Sequence, residues 1–307
     1  MVPPRIAIII NPISGTGGRL HTARERAERA AALVAARGLD ARVFLTERQG
    51  HAREIADAML RDGVATIVAW GGDGTVNEIA SAMVFRDATL GIIPGGSGNG
   101  LARELHIPMD PAGAIDVALT GRDVQIDAGE LDGRLFFNVA GIGLDARVAH
   151  RFAAEGRHNR GFRKYLSVTA RELFSYTPDD HTVVADGESV RVRALFIAIA
   201  NSRQYGNGAL IAPDAKVNDG QLDVVVVAAR SALSALMQVP RIFTGRIARV
   251  SGVTMRRATE VTISSARPVV YHVDGEPCVG SVAITARVRP GALRVRVPAG
   301  ERLEVLA

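Results

Sequence analysis

Three short glycine-rich segments contain the residues of this sequence that are best suited to bind a ligand. They span residues 11–18, 71–78 and 94–100, and each directly follows an apolar stretch. Glycine lets a backbone approach a ligand closely, and the free N–H groups at the start of a helix attract phosphate. One such segment alone is more often only a tight turn. Three of them at one end of a sheet predict a site for a phosphate-bearing ligand.

Asp73 lies inside the second of these segments and places a negative charge where phosphate is predicted to bind. A carboxylate there would repel phosphate groups unless a cation lay between them. Mg²⁺ held by a carboxylate and by nucleotide phosphates would meet that requirement. Alternatively, Asp73 is the N-cap of a helix that starts near Thr75. The two roles are compatible, so both stay open at this point.

Acidic residues also occur in turn-like segments of the second half of the chain. Asp274-Gly275-Glu276 lies between two strand-like runs, and a carboxylate there could accept a proton from a substrate hydroxyl. Asp-Gly is equally a common hairpin turn, which is the interpretation that the residues alone favour. We interpret Asp186-Gly187-Glu188, which has the same three residues, as a turn. The acidic loop 214–221 is typical of a solvated β-turn.

The first 120 residues alternate strand and helix patterns. Strands are predicted at 5–10, 41–45, 65–70 and 89–93, and helices at 22–37, 51–61, 76–85 and from Asp110-Pro111 to about Gly121. Strands separated by helices predict a doubly wound parallel sheet. In such a sheet, all three glycine-rich segments follow the carboxyl ends of strands.

After about residue 125 the pattern becomes rich in strands. Strands are predicted at 124–131, 135–140, 182–185, 190–200, 222–228, 260–264, 269–273, 279–288 and 293–297, and helices at about 144–154, 162–176 and 231–243. This succession predicts a second, mainly antiparallel β-sandwich domain. We therefore expect domains at 1–124 and 125–297, with 298–307 as a tail that could return to the first domain.

Composition and charge exclude several classes of protein. The sequence is 47% hydrophobic and 22% charged, with a net charge of +5, and no apolar run approaches the ~20 residues of a membrane-spanning helix. The single Cys278 excludes an internal disulfide and a zinc site built on several cysteines. The two lysines, Lys164 and Lys216, lie in neither a P-loop nor a protein-kinase motif. The apolar stretch near the N-terminus is too short for a signal peptide, so we expect a cytoplasmic protein.

Two further features are open to a structural interpretation. The segment 157–176 combines basic and apolar residues in a helical pattern. Packing of this helix on the sheet, with a solvated basic face, is somewhat favoured over contact with a membrane. The histidines form no recognisable metal or catalytic motif, and we interpret them as surface or structural residues.

Taken in order, the segments resemble the diacylglycerol kinase and sphingosine kinase family of lipid kinases. N-P-x-S-G, G-G-D-G-T-x-N-E and P-G-G-S-G-N-x-L-A carry the resemblance, which continues through 138–146, 212–220 and 273–277. It implies a bacterial member with a diacylglycerol kinase catalytic domain. An N-terminal α/β domain, like that of phosphofructokinase or NAD kinase, would bind ATP. The β-sandwich domain would help to bind lipid, with the chemistry in the cleft between the domains. The S-G-N at 97–99 is closer to the sphingosine and ceramide kinase form, which leaves the acceptor lipid open.

The resemblance also implies roles for individual residues. Glu276 would be the proton acceptor and Asp274 its close partner, while Asp73 would take part in catalysis by organising Mg²⁺. A structural Mg²⁺ is implied at Asp219 with the carbonyl oxygens of Lys216 and Gln221. The implied nucleotide contacts are Asn11, Pro12, Ser14, Gly15, Thr46, Gly71, Gly72, Asp73, Gly74, Thr75, Asn77, Glu78, Gly96, Ser97 and Asn99.

These observations predict an ATP- and Mg²⁺-dependent lipid kinase that transfers the γ-phosphate to a diacylglycerol-like lipid or a sphingoid base. We expect a lipid substrate and a peripheral position at the inner face of the membrane. We expect no nucleic-acid partner, and a homodimer stays open. The alternatives are an NAD kinase or a sugar kinase, which share the G-G-D-G loop, or a non-catalytic regulator that binds a nucleotide or a lipid.

Overall fold

The computed structural model describes residues 6–14, 20–38, 40–154, 162–206, 208–231, 241 and 244–300. Their contacts form two compact units. The first unit contains the described residues up to Ile126 and those from Gly291 onward, and the second is Asp127–Pro290. The predicted fold class, a parallel α/β unit followed by an antiparallel β-sandwich, is confirmed.

The first unit is a parallel sheet flanked by helices. Its elements are β1 (Ile6–Ile10), α1 (Leu20–Ala35), β2 (Ala41–Leu45), α2 (His51–Arg61), β3 (Thr66–Gly71), α3 (Asp73–Met83), β4 (Thr89–Pro94), α4 (Gly100–Glu104), α5 (Pro111–Thr120) and the start of β5 (Arg122–Leu131). Strand β1 pairs in parallel with β2 and β3, and β3 pairs in parallel with β4. Every residue of β1, β3 and β4 is buried, as is typical of a parallel sheet with both faces covered.

Helix α5 begins where the sequence predicted it. The side chain of Asp110 accepts a hydrogen bond from the amide of Gly113 at 2.8 Å, and Pro111 occupies the first turn. A carboxylate at this position satisfies an amide that would otherwise lack an intrahelical partner. This local pairing explains why the start of α5 could be predicted from neighbouring residues alone.

The second unit is a sandwich of antiparallel strands with two helices among its described residues. Its elements are β6 (Arg134–Phe136), β7 (Val139–Gly143), α6 (Leu144–Ala154), α7 (Phe162–Ser175), β8 (Asp180–Ala185), β9 (Glu188–Ala200), β10 (Leu222–Ala228), a 3₁₀ turn (Ile247–Arg249), β11 (Val253–Ala258), β12 (Glu260–Ser265), β13 (Val270–Val273), β14 (Glu276–Val279) and the start of β15 (Ala283–Val297). One sheet has the order β14-β13-β7-β9-β10-β11, and the other contains β9-β8-β12-β15.

Strand β9 contributes to both sheets of the sandwich. Its first half pairs with β8, and its second half pairs with β7 and β10. The core between the sheets includes Ile197 of β9, Ile263 of β12 and the ring of Tyr271 of β13, all at most 1% exposed. Burial of these large apolar side chains is the main stabilising term for the unit.

Strand β15 belongs to both units. Its first residues, from Ala283 to Arg287, pair antiparallel with β12, whereas Arg294 and Val295 pair in parallel with β4. The chain therefore rejoins the first unit from Gly291, ahead of the 298–307 segment for which the sequence suggested a return.

Several predicted elements differ from the observed ones. The run 135–140 is two strands, β6 and β7, because the intervening amides of Phe137 and Asn138 donate to the Asp274 carboxylate. The single strand predicted at 279–288 is wrong, since β14 ends at Val279 and β15 begins at Ala283. Strand β11 and the five-residue α4 were not predicted, and α3 begins earlier than predicted, at Asp73. The helix predicted at 231–243 falls mostly outside the described residues.

Candidate active site

The described parts of the three glycine-rich segments, which end at residue 14 in the first, lie at the carboxyl ends of neighbouring strands of the parallel sheet. Strands β1, β2, β3 and β4 end in register with one another. The amides of Asn11, Thr46 and Gly95 each donate to a carbonyl of an adjacent strand, at 2.9, 2.9 and 2.7 Å. The sheet therefore continues one step into the loops. The prediction that these segments follow the carboxyl ends of neighbouring strands is confirmed.

A side-chain hydrogen bond joins the first loop to the second. Asn11 Nδ2 donates to the hydroxyl of Thr75 at 2.9 Å, and Asn11 Oδ1 accepts the amide of Ile13 at 3.1 Å. Thr75 is buried. A Cβ at Gly71 would lie only 2.6 Å from Cβ of Thr75, so a glycine is required there by the fold itself. The loop preceding α3 is thus shaped by the Thr75 side chain.

Asp73 joins the second loop to the third. Its Oδ2 accepts the amide of Asn99 at 2.9 Å and its Oδ1 accepts the amide of Gly100 at 2.6 Å, at the start of α4. The N-cap of Asp73's own helix is Gly72. The alternative that Asp73 caps its own helix is therefore wrong, because the carboxylate caps α4 instead. A role for Asp73 in holding Mg²⁺ stays a prediction.

Several loop glycines are required by contacts between the loops. A Cβ at Gly96 would lie 2.7 Å from Cα of Gly72, and a Cβ at Gly98 would lie 2.8 Å from Oδ2 of Asp73. A methyl group would fit at Gly96 only if the backbone moved, and at Gly98 only if the Asp73 side chain or the backbone moved. Gly74 differs, since it is exposed and a Cβ there would meet no atom within 4 Å. Among these positions, Gly74 is the one at which only a bound ligand could require a glycine.

Asn99 shapes the third loop. It has a left-handed backbone with φ of 51°, and its amide side chain accepts from the amide of Gly96 at 2.8 Å and donates to the carbonyl of Gly96 at 2.9 Å. Asparagine tolerates this conformation better than most residues. Ser97 lies at the exposed tip of the loop. The loop therefore presents Ser97, while Asn99 holds the loop backbone.

Two further residues that were predicted to contact the nucleotide form hydrogen bonds within the protein. Glu78 accepts the amides of Gly50 and Ala52, at 2.9 and 3.2 Å, and so caps α2. Asn77 accepts the hydroxyl of Ser81 at 3.3 Å within α3. Glu78 thus fixes the segment that contains Thr46, a buried residue next to the end of β2. Gly15 lies outside the described residues, and Pro12 is half-buried in the first loop.

The Asp274-Gly275-Glu276 segment is the turn between β13 and β14. Asp274 and Gly275 have positive φ angles of 47° and 84°, and Val273 pairs with Glu276, as in a two-residue hairpin. The Asp274 carboxylate accepts the amides of residues 137, 138 and 139 at 2.9, 2.9 and 3.1 Å. Glu276 is exposed. Asp274 therefore holds the turn against the start of β7, while Glu276 is accessible to a ligand.

The segment Asp186-Gly187-Glu188 has the same backbone conformation. Its φ angles are 44° and 88°, Ala185 pairs with Glu188, and Asp186 accepts the amides of Thr259 and Glu260 at 3.0 and 2.9 Å. The prediction that this segment is a turn is confirmed. The two D-G-E segments differ in their surroundings, since Asp186 is exposed and Asp274 is half-buried.

The loop 214–221 contains a buried carboxylate oxygen that accepts no hydrogen bond from the described residues. This oxygen is Oδ2 of Asp219, whose Oδ1 accepts the amide of Gln221 at 3.1 Å. Burial raises the pKa of the nearby Asp223 to about 6; the positive charge of Arg257 opposes this rise, and the negative charge of Asp219 adds to it. A buried carboxylate oxygen without a hydrogen-bond donor is a suitable ligand for a cation.

The proposed ligand set at this loop would be mostly backbone. Lys216 and Gln221 are half-buried on either side of Asp219, and their carbonyl oxygens are the predicted partners. Among the described residues, no group of three or more His, Cys, Asp or Glu side chains could hold a metal. A cation here would therefore depend on Asp219 and on carbonyl groups, which suits Mg²⁺ or Ca²⁺ better than Zn²⁺.

Comparison with known proteins matches both units of the chain. Residues 5–131 match the family described as the diacylglycerol kinase catalytic domain. Residues 138–297 match the YegS C-terminal NAD kinase beta sandwich-like domain. The chain belongs to the diacylglycerol kinase catalytic-domain family. The predicted resemblance is confirmed, and both halves of the fold agree with this membership.

Individual members of the family are similar along nearly the whole chain. A "probable lipid kinase YegS-like" of Pseudomonas aeruginosa is 32% identical, covering 92% of this chain and 94% of that protein. A diacylglycerol kinase of Mycobacterium tuberculosis is also 32% identical, covering 96% and 95%. The crystal structure of a diacylglycerol kinase from Bacillus anthracis superposes with a TM-score of 0.71 at 21% identity, over 96% and 97% of the two chains. The last comparison supports the shared fold.

Helix α7 of this family member packs against its neighbours. Val168 and Leu173 are buried in a cluster with apolar residues of α6 and β9. The buried Glu172 forms ion pairs with Arg147 and Arg151, at 2.5 and 2.9 Å. The packing predicted for segment 157–176 is observed in the described part of the helix, and contact of its basic face with a membrane stays a prediction. None of the helices in the described part of the chain combines the length and the apolar character that a membrane span requires.

Two features of the site were missed by sequence reasoning. Arg26 of α1 donates to the carbonyl of Asn11 at 3.3 Å, and to the hydroxyl and carbonyl of Ser14 at 3.0 and 3.1 Å. Partial burial lowers the pKa of Arg26 from its ordinary value. Its guanidinium therefore holds the first loop and adds positive charge beside it.

The second feature is the buried His272, which was interpreted only as a surface or structural residue. No sequence motif distinguishes either residue.

Proposed function

We propose that this lipid-kinase family member uses ATP and Mg²⁺ to transfer a γ-phosphate to the hydroxyl group of a lipid. The observation that supports this most directly is the linkage of three glycine-rich loops at one sheet edge through Asn11, Asp73 and Asn99. Positioning and electrostatic stabilisation supply most of the catalysis in phosphoryl transfer. A set of loops that hydrogen bonds hold together suits that task.

The phosphate groups of the nucleotide would lie against the loop backbones. The N-terminus of α3, an 11-residue helix, lies within the second segment, and the amides of its first turn favour negative charge there. Arg26 adds a positive charge below the first loop. The exposed Ser97 supplies a hydroxyl donor at the tip of the third loop. Together these groups compensate phosphate charge without a P-loop lysine.

The residues around Asp73 fit a nucleotide-associated Mg²⁺. Its two oxygens accept the backbone amides of Asn99 and Gly100, and a carboxylate is a preferred ligand of Mg²⁺. When bound, Mg²⁺ neutralises charge that develops on the transferred phosphoryl group. The loop contacts hold the Asp73 carboxylate in a fixed orientation before any ligand arrives. The protein thus contributes to catalysis by orienting this carboxylate in advance.

Glu276 is better suited than Asp274 to accept the proton of the lipid hydroxyl. Three backbone amides already donate to Asp274, which fixes the turn, whereas Glu276 is exposed two positions further along the same turn. A general base must reach the proton that it removes. We therefore assign Glu276 as the acceptor and Asp274 as the residue that positions it.

The acceptor would be a long-chain lipid with a free primary hydroxyl, either a diacylglycerol-like lipid or a sphingoid base. We favour diacylglycerol, which agrees with the name of the Mycobacterium tuberculosis relative. Such a substrate places the enzyme at the membrane, so we propose peripheral binding at its inner face, where basic side chains would meet anionic lipid. A homodimer is compatible with this proposal.

An NAD kinase is the second candidate. The description of the family matched by residues 138–297 names an NAD kinase-like sandwich, and the G-G-D-G loop is shared with that class. A soluble dinucleotide would then replace the lipid as acceptor. The diacylglycerol kinase catalytic-domain match of residues 5–131 favours the lipid.

One assay separates these candidates. The purified protein is incubated with radiolabelled ATP and Mg²⁺ in mixed micelles that contain diacylglycerol, sphingosine, ceramide or phosphatidylglycerol, and separately with NAD or fructose 6-phosphate. We expect the label in an organic-phase product, with the highest rate for diacylglycerol. Faster labelling of NAD or the sugar phosphate than of every lipid would overturn the lipid-kinase proposal. Preference for sphingosine would keep the reaction and correct the substrate, and no labelled product would favour a non-catalytic regulator.

A further inference from the structure

His272 is buried beside the Asp274–Glu276 turn and uses both of its ring nitrogens. It is 4% exposed. Its Nδ1 lies 3.3 Å from the backbone amide of Gly275, the central glycine of the turn. Its Nε2 lies 3.3 Å from Oδ2 of Asp145 on α6. One imidazole ring thus connects the turn to α6.

The donor at Gly275 fixes the tautomer of this histidine. A backbone N–H can only donate, so Nδ1 must be the unprotonated acceptor. In the neutral ring the proton then lies on Nε2, which faces the Asp145 carboxylate. The two bonds are therefore compatible in one protonation state of the ring, the neutral Nε2–H form.

Asp145 is itself held in place by other donors. Its Oδ2 also accepts the hydroxyl of Tyr205 at 2.5 Å, and its Oδ1 accepts the amide of Ala146 at 2.8 Å. The rings of Tyr205 and His272 are 6.0 Å apart. The Asp145 carboxylate is therefore a fixed point on α6 to which His272 can anchor the turn.

Gly141 provides the space for this contact. It lies opposite His272 across the β7–β13 pair. A Cβ at position 141 would overlap the Asp145 carboxylate and would lie 2.5 Å from Nε2 of His272. The absence of a side chain at this position is what allows the aspartate and the histidine to meet above the sheet.

We propose that His272 is a positioning residue that sets the orientation of Glu276, by tying Gly275 of the turn to Asp145 of α6. This inference rests on the proposed function, in which Glu276 accepts the proton. Asp274 fixes the turn from the side of β7, through the amides of residues 137–139, and His272 fixes it from the side of α6. Two independent anchors leave the carboxylate of the next residue a small range of positions, as a proton acceptor requires.

Two substitutions of His272 separate its two hydrogen bonds. An asparagine places its amide near the position of Nδ1, so His272→Asn can keep an acceptor for Gly275 but loses the link to Asp145. A glutamine places its amide near Nε2, so His272→Gln can keep the link to Asp145 but loses the acceptor for Gly275. We expect His272→Gln to lower kcat for lipid phosphorylation roughly 10–100-fold with the KM for ATP unchanged, as for other positioning groups. We expect His272→Asn to keep the larger share of turnover.

Two measurements test the link without any turnover. Nitrogen-15 NMR of the wild-type protein should show His272 as the Nε2–H tautomer. Hydrogen exchange at the Gly275 amide should be slow in wild type and His272→Asn and faster in His272→Gln. A proton on Nδ1 in wild type, or exchange that does not differ between the two variants, would overturn the proposal even if a variant folds poorly. Wild-type kcat in His272→Gln would overturn it too. If wild type phosphorylates no lipid, the proposed function is wrong, and the tautomer and the exchange still decide the link.

Discussion

The carboxylate of Asp73 accepts the backbone amide of Asn99 at 2.9 Å, and so joins two loops that are 26 residues apart in the chain. Its other oxygen accepts the amide of Gly100, the first residue of α4. Asp73, which was expected to hold Mg²⁺, to cap its own helix or to do both, therefore holds the third loop in place. Substitutions at Asp73 must be judged against this structural role.

Asp73→Asn should abolish lipid phosphorylation without unfolding the protein. We expect a lower Tm as well, because the single oxygen of an asparagine amide can accept only one of the backbone amides of Asn99 and Gly100. The lost negative charge, however, would remove a ligand for Mg²⁺. The measurements are the initial rate at saturating Mg-ATP and a melting curve. Asp110→Asn is the control for the loss of a capping carboxylate, because Asp110 caps α5 in the same unit, and this variant should keep normal activity. An undiminished rate in Asp73→Asn would exclude the metal role.

Substitutions at Gly96 and Gly74 should differ in their effect on stability. A methyl group at Gly96 would lie 2.7 Å from Cα of Gly72, so Gly96→Ala should lower both the Tm and the affinity for nucleotide. A methyl group at Gly74 would meet no atom within 4 Å, so Gly74→Ala should leave the Tm unchanged. Any loss of nucleotide affinity in Gly74→Ala, measured by calorimetry, would then come from contact with the ligand. A lower Tm for Gly74→Ala, or an unchanged one for Gly96→Ala, would contradict the described packing.

Glu276→Gln should leave nucleotide binding intact and lower kcat by roughly 10²–10⁴-fold, the usual effect of removing a general base. The chain offers a matched control in Glu188, which occupies the same position of the other D-G-E hairpin. Glu188→Gln should keep normal turnover, because that hairpin is an ordinary turn. An equal loss of turnover in the two variants would show that the loss comes from a disturbed hairpin turn and not from a missing proton acceptor.

Asp274→Asn tests the division of roles within the same turn. The amide can satisfy fewer of the three backbone donors at residues 137–139, so we expect a lower Tm together with reduced turnover. If Asp274→Asn reduces turnover more than Glu276→Gln at equal Tm, the assignment of the proton acceptor is reversed.

Mg²⁺ should stabilise the protein in the absence of nucleotide through Asp219. Binding to the folded state alone raises stability by about 2.7 kcal/mol when the cation concentration is about 100 times its dissociation constant. The experiment compares the Tm in EDTA with that in millimolar Mg²⁺. We expect the shift in wild type and its loss in Asp219→Asn, whose uncharged amide is a poorer cation ligand for the buried position. A shift that persists in the variant would place the cation elsewhere.

The sequence by itself determined the parts of this protein that depend on neighbouring residues. The alternation of apolar strands and amphipathic helices predicted the parallel sheet, and helix α2 lies at the predicted residues. Asp110 and Pro111 marked the start of α5 because a cap and a first-turn proline act within three residues. The Asp-Gly pairs predicted hairpins, since their left-handed angles are a local property of these residue types. The family resemblance likewise came from short ordered motifs.

Only the tertiary structure decided which partner each polar group takes. Asp73 caps a helix 26 residues away, and Asp274 bonds to amides more than 130 positions earlier in the chain. The residues of the two D-G-E segments are identical, and only the burial of Asp274 against β7 distinguishes them. The same holds for His272, whose contact with Asp145 depends on the absence of a side chain at Gly141. Hydrogen bonds between distant segments depend on how strands and helices pack, and the local pattern of residue types contains no signal for that packing.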